Sequence, residues 1–82
     1  LFEVNEAFAS VPLAWLLHTG ADPAKLNVNG GAISLGHPLG ASGTKLMTTL
    51  VHALKRRNLR RGVASQCIGG GEATAIAIEI AD

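Results

Sequence analysis

Tyrosine is absent, and one tryptophan and two phenylalanines are the only aromatic residues among 82. A surface that grips nucleic acid by stacking on its bases is therefore not supplied, and no nucleic-acid partner is expected. The scarcity of rings also sets the core. It has to be built from Ala, Val, Ile and Leu, which suit close packing of helix on sheet. The single cysteine, Cys67, excludes an internal disulfide and fits a reducing, cytoplasmic setting. No apolar run approaches the roughly 18 residues that a membrane span needs, and nothing reads as a signal peptide, so no membrane partner is expected. Leu1 stands where an initiator methionine would be, which is read as the mark of a processed piece or of part of a longer chain.

Hydrophobic residues make up 48% of the chain, too many for a disordered segment. At this length there is room for one small domain, which buries about 60–65% of its unfolded surface and is marginal by itself. The net charge is only +1, yet Lys55, Arg56, Arg57, Arg60 and Arg61 cluster at the end of one helical pattern. The simplest reading is a solvated helix C-terminus whose cations complement the dipole, at about 0.3–1 kcal/mol each. Steering of a phosphate-bearing ligand is a second use for them.

What the chain has in quantity is glycine, concentrated in Val28 to Gly43, where glycines and one proline frame His37. Such a stretch suits backbone that takes positive φ or comes close to a ligand. Leu46, Met47, Leu50, Val51 and Leu54 then recur at helical spacing, so the loop empties into a helix over about Ser42 to Asn58. The positive end of that helix faces whatever lies beside His37.

In chain order, Leu1 to Val4 reads as a strand end, Asn5 as a helix N-cap with Glu6 in the first turn, and Ala7 to Leu17 as a helix. Pro12 is awkward inside it. Either Asn5 to Ala9 is a separate turn and a new helix is capped by Ser10, or one helix is kinked. Gly20 is the C-cap, and Ala21 to Leu26 is a loop or short turn. Leu26 to Val28 is expected as a short strand. Val63 to Ile68 and Ala73 to Ile80 read as two strands joined by Gly69 to Gly71 into an antiparallel hairpin, with Ile76, Ile78 and Ile80 on one face.

Asn5, His37 and Cys67 stand at element boundaries, where function concentrates. Each has an ordinary reading: a cap, a loop histidine, a small core residue. Together they offer specific chemistry. A thiol near a helix N-terminus and an imidazole suits an acid/base that gives and takes one proton. An imidazole N–H and an amide, directly or through water, can donate to an oxygen becoming an enolate, at about 3–4 kcal/mol per donor in a preorganised site. Backbone N–H groups around Gly69 to Gly71 could form a second such pocket. A cysteine hydrolase, a dissected module that only assembles with a missing half, and a Cys/His metal site are the other readings of the same residues. No metal is expected, since two ligands without a spacing motif do not hold one.

Asn5-Glu6-Ala7-Phe8-Ala9, then Asn29-Gly30-Gly31 leading to Gly36-His37-Pro38-Leu39-Gly40-Ala41-Ser42-Gly43, then Cys67-Ile68-Gly69-Gly70-Gly71 resemble the C-terminal signatures of the thiolase family. These are acetyl-CoA acetyltransferases and 3-ketoacyl-CoA thiolases, and the resemblance runs the length of the chain in order. It implies an α/β fold. Residues 1–82 would be one partial C-terminal thiolase domain of a layered αβαβα fold, with two main helices against a small sheet ending in an antiparallel hairpin. It also implies reversible thiolytic cleavage of a 3-ketoacyl-CoA, or Claisen condensation of acyl-CoA, through an acyl-cysteine.

Carried over by resemblance, Cys67 matches the second cysteine, the acid/base at the α-carbon and the CoA thiol. His37 matches the histidine that activates the nucleophile and donates to the thioester oxygen. Asn5 matches the residue holding a water in the first oxyanion hole, Gly69 N–H looks like part of the second, and Ala7 and Phe8 are similar to residues lining the pantetheine channel. Coenzyme A is then a substrate and no cofactor is implied. The implied partners are acyl-CoA or CoA, the N-terminal thiolase half and, by analogy, further subunits of a homo-oligomer. The family's nucleophilic cysteine belongs to that N-terminal half, so these 82 residues alone are expected to be inactive. Decarboxylating ketoacyl synthases are less similar, because they use histidine where Cys67 stands.

Overall fold

The computed structural model describes residues 1–68 and 72–81. The connection expected at Gly69 to Gly71 therefore lies outside the described residues. Strand β1 spans Phe2–Val4, helix α1 Ser10–Thr19, a 3-10 turn Pro23–Lys25, helix α2 Ala32–Leu35, helix α3 Ser42–Arg56, strand β2 Arg61–Ile68 and strand β3 Glu72–Glu79. The sheet order is β1-β2-β3. Phe2 to Val4 pair in parallel with Val63 to Ser65, and β2 pairs antiparallel with β3 from Arg61 opposite Glu79 to Ile68 opposite Glu72, the expected hairpin.

A parallel pair needs a crossover, and α3 supplies it, packing on β1 and β2. Its apolar stripe buries Leu50, Ala53 and Leu54, and Leu50 and Leu54 meet Ala64 of β2 in the core, flanked by Leu1, Met47, Ile78 and Ile80. Ile76, expected on the same face, is 54% exposed. The helix comes so near the sheet that a Cβ on Gly62 would lie 2.7 Å from Leu50 Cδ1. A helix returning the chain antiparallel to two strands places its own N-terminus where those strands end. Accordingly, a Cβ on Gly43 would lie 3.2 Å from Gln66 Oε1, near the end of β2.

Asn5 is not a helix cap. Helix α1 starts at Ser10 with Ala9 in the cap position, so the reading of a separate turn before a new helix holds, shifted by one residue from the expected Ser10 cap. Pro12 then falls in the first turn, where N–H groups have no intrahelical acceptor, and it costs nothing there. Gly20 ends the helix as expected, in the left-handed region at φ 69°, its N–H donating to Leu16 O. Trp15 carries α1 onto the sheet by stacking obliquely on Phe2, ring centroids 5.1 Å apart. The short strand expected at Leu26 to Val28 reduces to single bridges, Phe2 with Leu26 and Val28 with Gly30. Within the glycine-rich stretch, Ala32–Leu35 closes into one helical turn that the spacing of its residues did not announce.

Candidate functional site at the carboxyl edge of the parallel pair

Asn5 follows β1 directly, and its N–H donates to Ser65 O at 2.9 Å, extending the parallel ladder by one step. Its side chain is buried, and Nδ2 has no hydrogen-bond partner among the described residues. It lines a cleft with Glu3, Gly31, Ser42, Lys45 and Thr49 whose cavity, about 20 Å³, is the size of one water. A buried amide donor left over at such a cleft costs about 1–3 kcal/mol unless a bound group accepts from it.

His37 sits on an exposed bend between α2 and α3. Its ring is held from within the protein, by a short contact between Nδ1 and Ser42 Oγ. Ser42, the first residue of α3, is buried, and its hydroxyl also lies within hydrogen-bond distance of Pro38 O, at 3.1 Å. The contact occupies Nδ1, and Nε2 has no partner among the described residues, which leaves that nitrogen as the one able to exchange a proton with a bound group. The N-terminus of α3 beside it carries no side-chain cap. Its dipole favours negative charge at that edge.

The backbone beneath this arrangement is stitched by Asn27 and Glu6. Asn27 Oδ1 accepts from Val4 N–H at 2.9 Å, and its Nδ2 donates to Val4 O at 3.0 Å, so a side-chain amide takes the place of a neighbouring strand at the end of β1. The same Nδ2 lies 3.3 Å from Glu6 Oε2, and Glu6 Oε1 accepts from Ile33 N–H at the start of α2. Glu6, expected in a helix first turn, instead ties β1 to α2. Glu3, which sequence reasoning passed over, is 2% exposed beneath α3. Burial first, and the Glu6 carboxylate second, push its carboxyl up to about 7.

Cys67 lies near the end of β2, paired with Ala73 and exposed. Along β2, Ala64 packs on α3 and Gln66 comes close to Gly43, so alternation turns Cys67 toward the opposite face. The structure thus gathers Asn5, Ser42 and His37 on the α3 side and brings Cys67 to the same carboxyl edge, but Cys67 does not line the cleft that Asn5 and Ser42 share. Ala7 is half-buried and Phe8 74% exposed, on the bend from β1 to α1. Gly69 lies outside the described residues. Among the described residues, no cluster of three His, Cys, Asp or Glu side chains is placed to hold a metal ion, and no helix is long and apolar enough to cross a membrane.

Open α/β sheets carry ligands outside the carboxyl ends of their parallel strands, and Asn5, His37 and Cys67 all stand there. Comparison with known proteins gives the same direction. The family model described as "Thiolase, C-terminal domain" matches residues 1–80. The acetyl-CoA acetyltransferase of Cupriavidus necator is 54% identical over 79 residues, 96% of this chain and 20% of that protein. The 3-ketoacyl-CoA thiolase of Bacillus subtilis is 55% identical over 80 residues, 98% of this chain and 20% of that protein. The crystal structure of the Bacillus anthracis acetyl-CoA acetyltransferase superposes with a TM-score of 0.93 at 48% identity, over 96% of this chain and 20% of that one. The chain spans about a fifth of the length of the relatives it matches. Sequence, fold and the three signatures in register agree, and the chain belongs to the thiolase family, matching the model of its C-terminal domain.

Proposed function

We propose that residues 1–82 supply the acid/base and oxyanion-binding half of a thiolase active site, acting on acyl-CoA by reversible thiolytic cleavage of a 3-ketoacyl-CoA or Claisen condensation of two acyl-CoA molecules. The observation that carries this reading is the imidazole of His37 fixed through Nδ1 by Ser42 at the carboxyl edge of the sheet, Nε2 left free, in a chain of this family.

In this reading Nε2 of His37 takes the proton of the nucleophilic cysteine supplied by the rest of the protein. The resulting imidazolium then donates to the thioester oxygen as negative charge gathers on it. Asn5, with a buried Nδ2 unspent within the described protein, holds the water that makes the second donor. Cys67 removes or returns the proton at the α-carbon and at the CoA thiol. The α-proton of a thioester is weakly acidic, so the carbanion forms only where donors already wait at its oxygen. Gly69 N–H is assigned to the second oxyanion hole, and Ala7 and Phe8 to the pantetheine channel, on the resemblance of their motifs. Coenzyme A is substrate, and no further cofactor is required.

Acetoacetyl-CoA thiolysis by the full-length polypeptide carrying residues 1–82 tests this. The full-length protein should turn over, and Cys67→Ser and His37→Asn should each lower kcat by about 10²–10⁴-fold, the range for loss of a positioned acid/base. The 82 residues alone should show no turnover. Full activity of the Cys67→Ser protein, or turnover by the isolated segment, would refute the assignment.

A further inference from the structure

Helix α3 holds the His37 bend at two points. One is Ser42 Oγ, at the ring and at Pro38 O, with Ala41 N–H and Ser42 N–H also donating to Pro38 O at 2.9 Å. The other is one turn further along the helix. Lys45 Nζ reaches back across the cleft and donates to Leu35 O at 2.9 Å and Gly36 O at 3.2 Å, the last two carbonyls before His37. These carbonyls need a partner. Leu35 is the last residue of α2, and the chain reverses at Gly36, whose φ of 92° turns the peptide out of the helical path. His37 is therefore gripped on both sides, upstream by an ammonium and downstream by a hydroxyl and two amides, all from the first turns of one helix.

We infer that Lys45 is a positioning residue, whose ammonium fixes the Leu35–Gly36 backbone so that the imidazole of His37 meets Ser42 and presents Nε2 at the proposed reaction site. Ser42 alone sets the rotation of the ring about the Nδ1 contact. Lys45 sets the height and direction of the peptide that carries the ring. A bend held at one end only would let Nε2 wander by an ångström or so, enough to cost about a hundredfold in a reaction that depends on alignment. An arginine can serve the same two carbonyls with a fork of donors, whereas a methionine of similar length cannot.

This inference rests on the function proposed above, and its test separates the two. In the full-length polypeptide carrying residues 1–82, acetoacetyl-CoA thiolysis is measured for the parent and for Lys45→Met, Lys45→Arg, His37→Asn and the His37→Asn/Lys45→Met double variant. Lys45→Met should lower kcat about tenfold to a hundredfold with KM changed less than about threefold. Lys45→Arg should restore most of the loss. The double variant should be no slower than His37→Asn alone, because a group that acts through the imidazole has nothing to act on once it is gone. Equal kcat for parent and Lys45→Met, or a full additive loss in the double variant, overturns the role of Lys45 and leaves the proposed function standing. Thiolysis unaffected by His37→Asn overturns that function itself. A merely structural lysine would lower the melting temperature while leaving kcat per folded molecule unchanged, which also refutes the positioning role.

Discussion

Ser42 Oγ meets both the ring of His37 and Pro38 O, so one side chain holds the imidazole and the backbone beside it. Ser42→Ala removes this contact and lets the ring rotate. For this variant kcat in acetoacetyl-CoA thiolysis should drop about tenfold to a hundredfold with little change in KM, measured at saturating substrate. Glu3 is a different case at the same scale. Its carboxyl titrates near its usual value when unfolded and at about 7 when folded, so the folded state holds the extra proton. Stability is then greatest below about pH 4.5 as far as this group is concerned, and is lost as pH rises toward and through 7, by about 2–3 kcal/mol. Replacing Glu3 by Gln should remove that slope. Melting temperatures of parent and Glu3→Gln, taken from pH 5 to pH 8, should diverge as pH rises, with the variant the more stable at pH 8.

At the level of elements, helix α3 does two jobs with opposite ends. Its middle and C-terminal turns bury Leu50, Ala53 and Leu54, while its first turns carry Ser42 and Lys45 to the site. Close approach to β2 makes this work. In Gly62→Ala the new methyl would meet Leu50 at 2.7 Å and lift the helix off the sheet. A loss of about 1–3 kcal/mol in urea unfolding is expected, partly recovered when Leu50 is trimmed to Val in the same chain. The periodicity of α3 and the alternation of the hairpin were plain in the sequence, because both elements bury one face and leave the other in water. Helix α1 was less so. Its residues are apolar on all sides and Pro12 breaks the pattern, so only packing through Trp15 shows where it begins. Helix α2 could not be read at all. Four residues give no period, and what closes the turn is Glu6 taking the Ile33 N–H from a distant part of the chain. Asn5 and His37 stood out as polar residues at boundaries. Glu3, Ser42 and Lys45 did not, since each gains its role only when the crossover lays α3 over β1.

For the whole molecule, the balance of apolar surface matters most. Phe8, Leu13, Leu17 and Leu39 are each more than 60% exposed, while the buried core comes to little more than Leu50, Leu54, Ala64 and their neighbours. That ratio fits a segment spanning a fifth of its relatives, and it explains why composition pointed to a globular core while the chain by itself buries so few large side chains. The matched relatives named for acetyl transfer and for 3-ketoacyl cleavage are nearly equally similar to it, 54% and 55% identical, so identity alone does not set this segment nearer to one than to the other. The pairing of β1 with β2 has a further consequence for biosynthesis. Phe2 finds its partner in Val63, and the ladder step at Asn5 depends on Ser65. During translation Asn5 lacks the Ser65 carbonyl that anchors it until some sixty later residues have left the ribosome, so the pairing of β1 is among the last contacts of this segment to form, and a stop codon shortly before Val63 would remove both the partner of β1 and the Ala64 surface on which α3 packs.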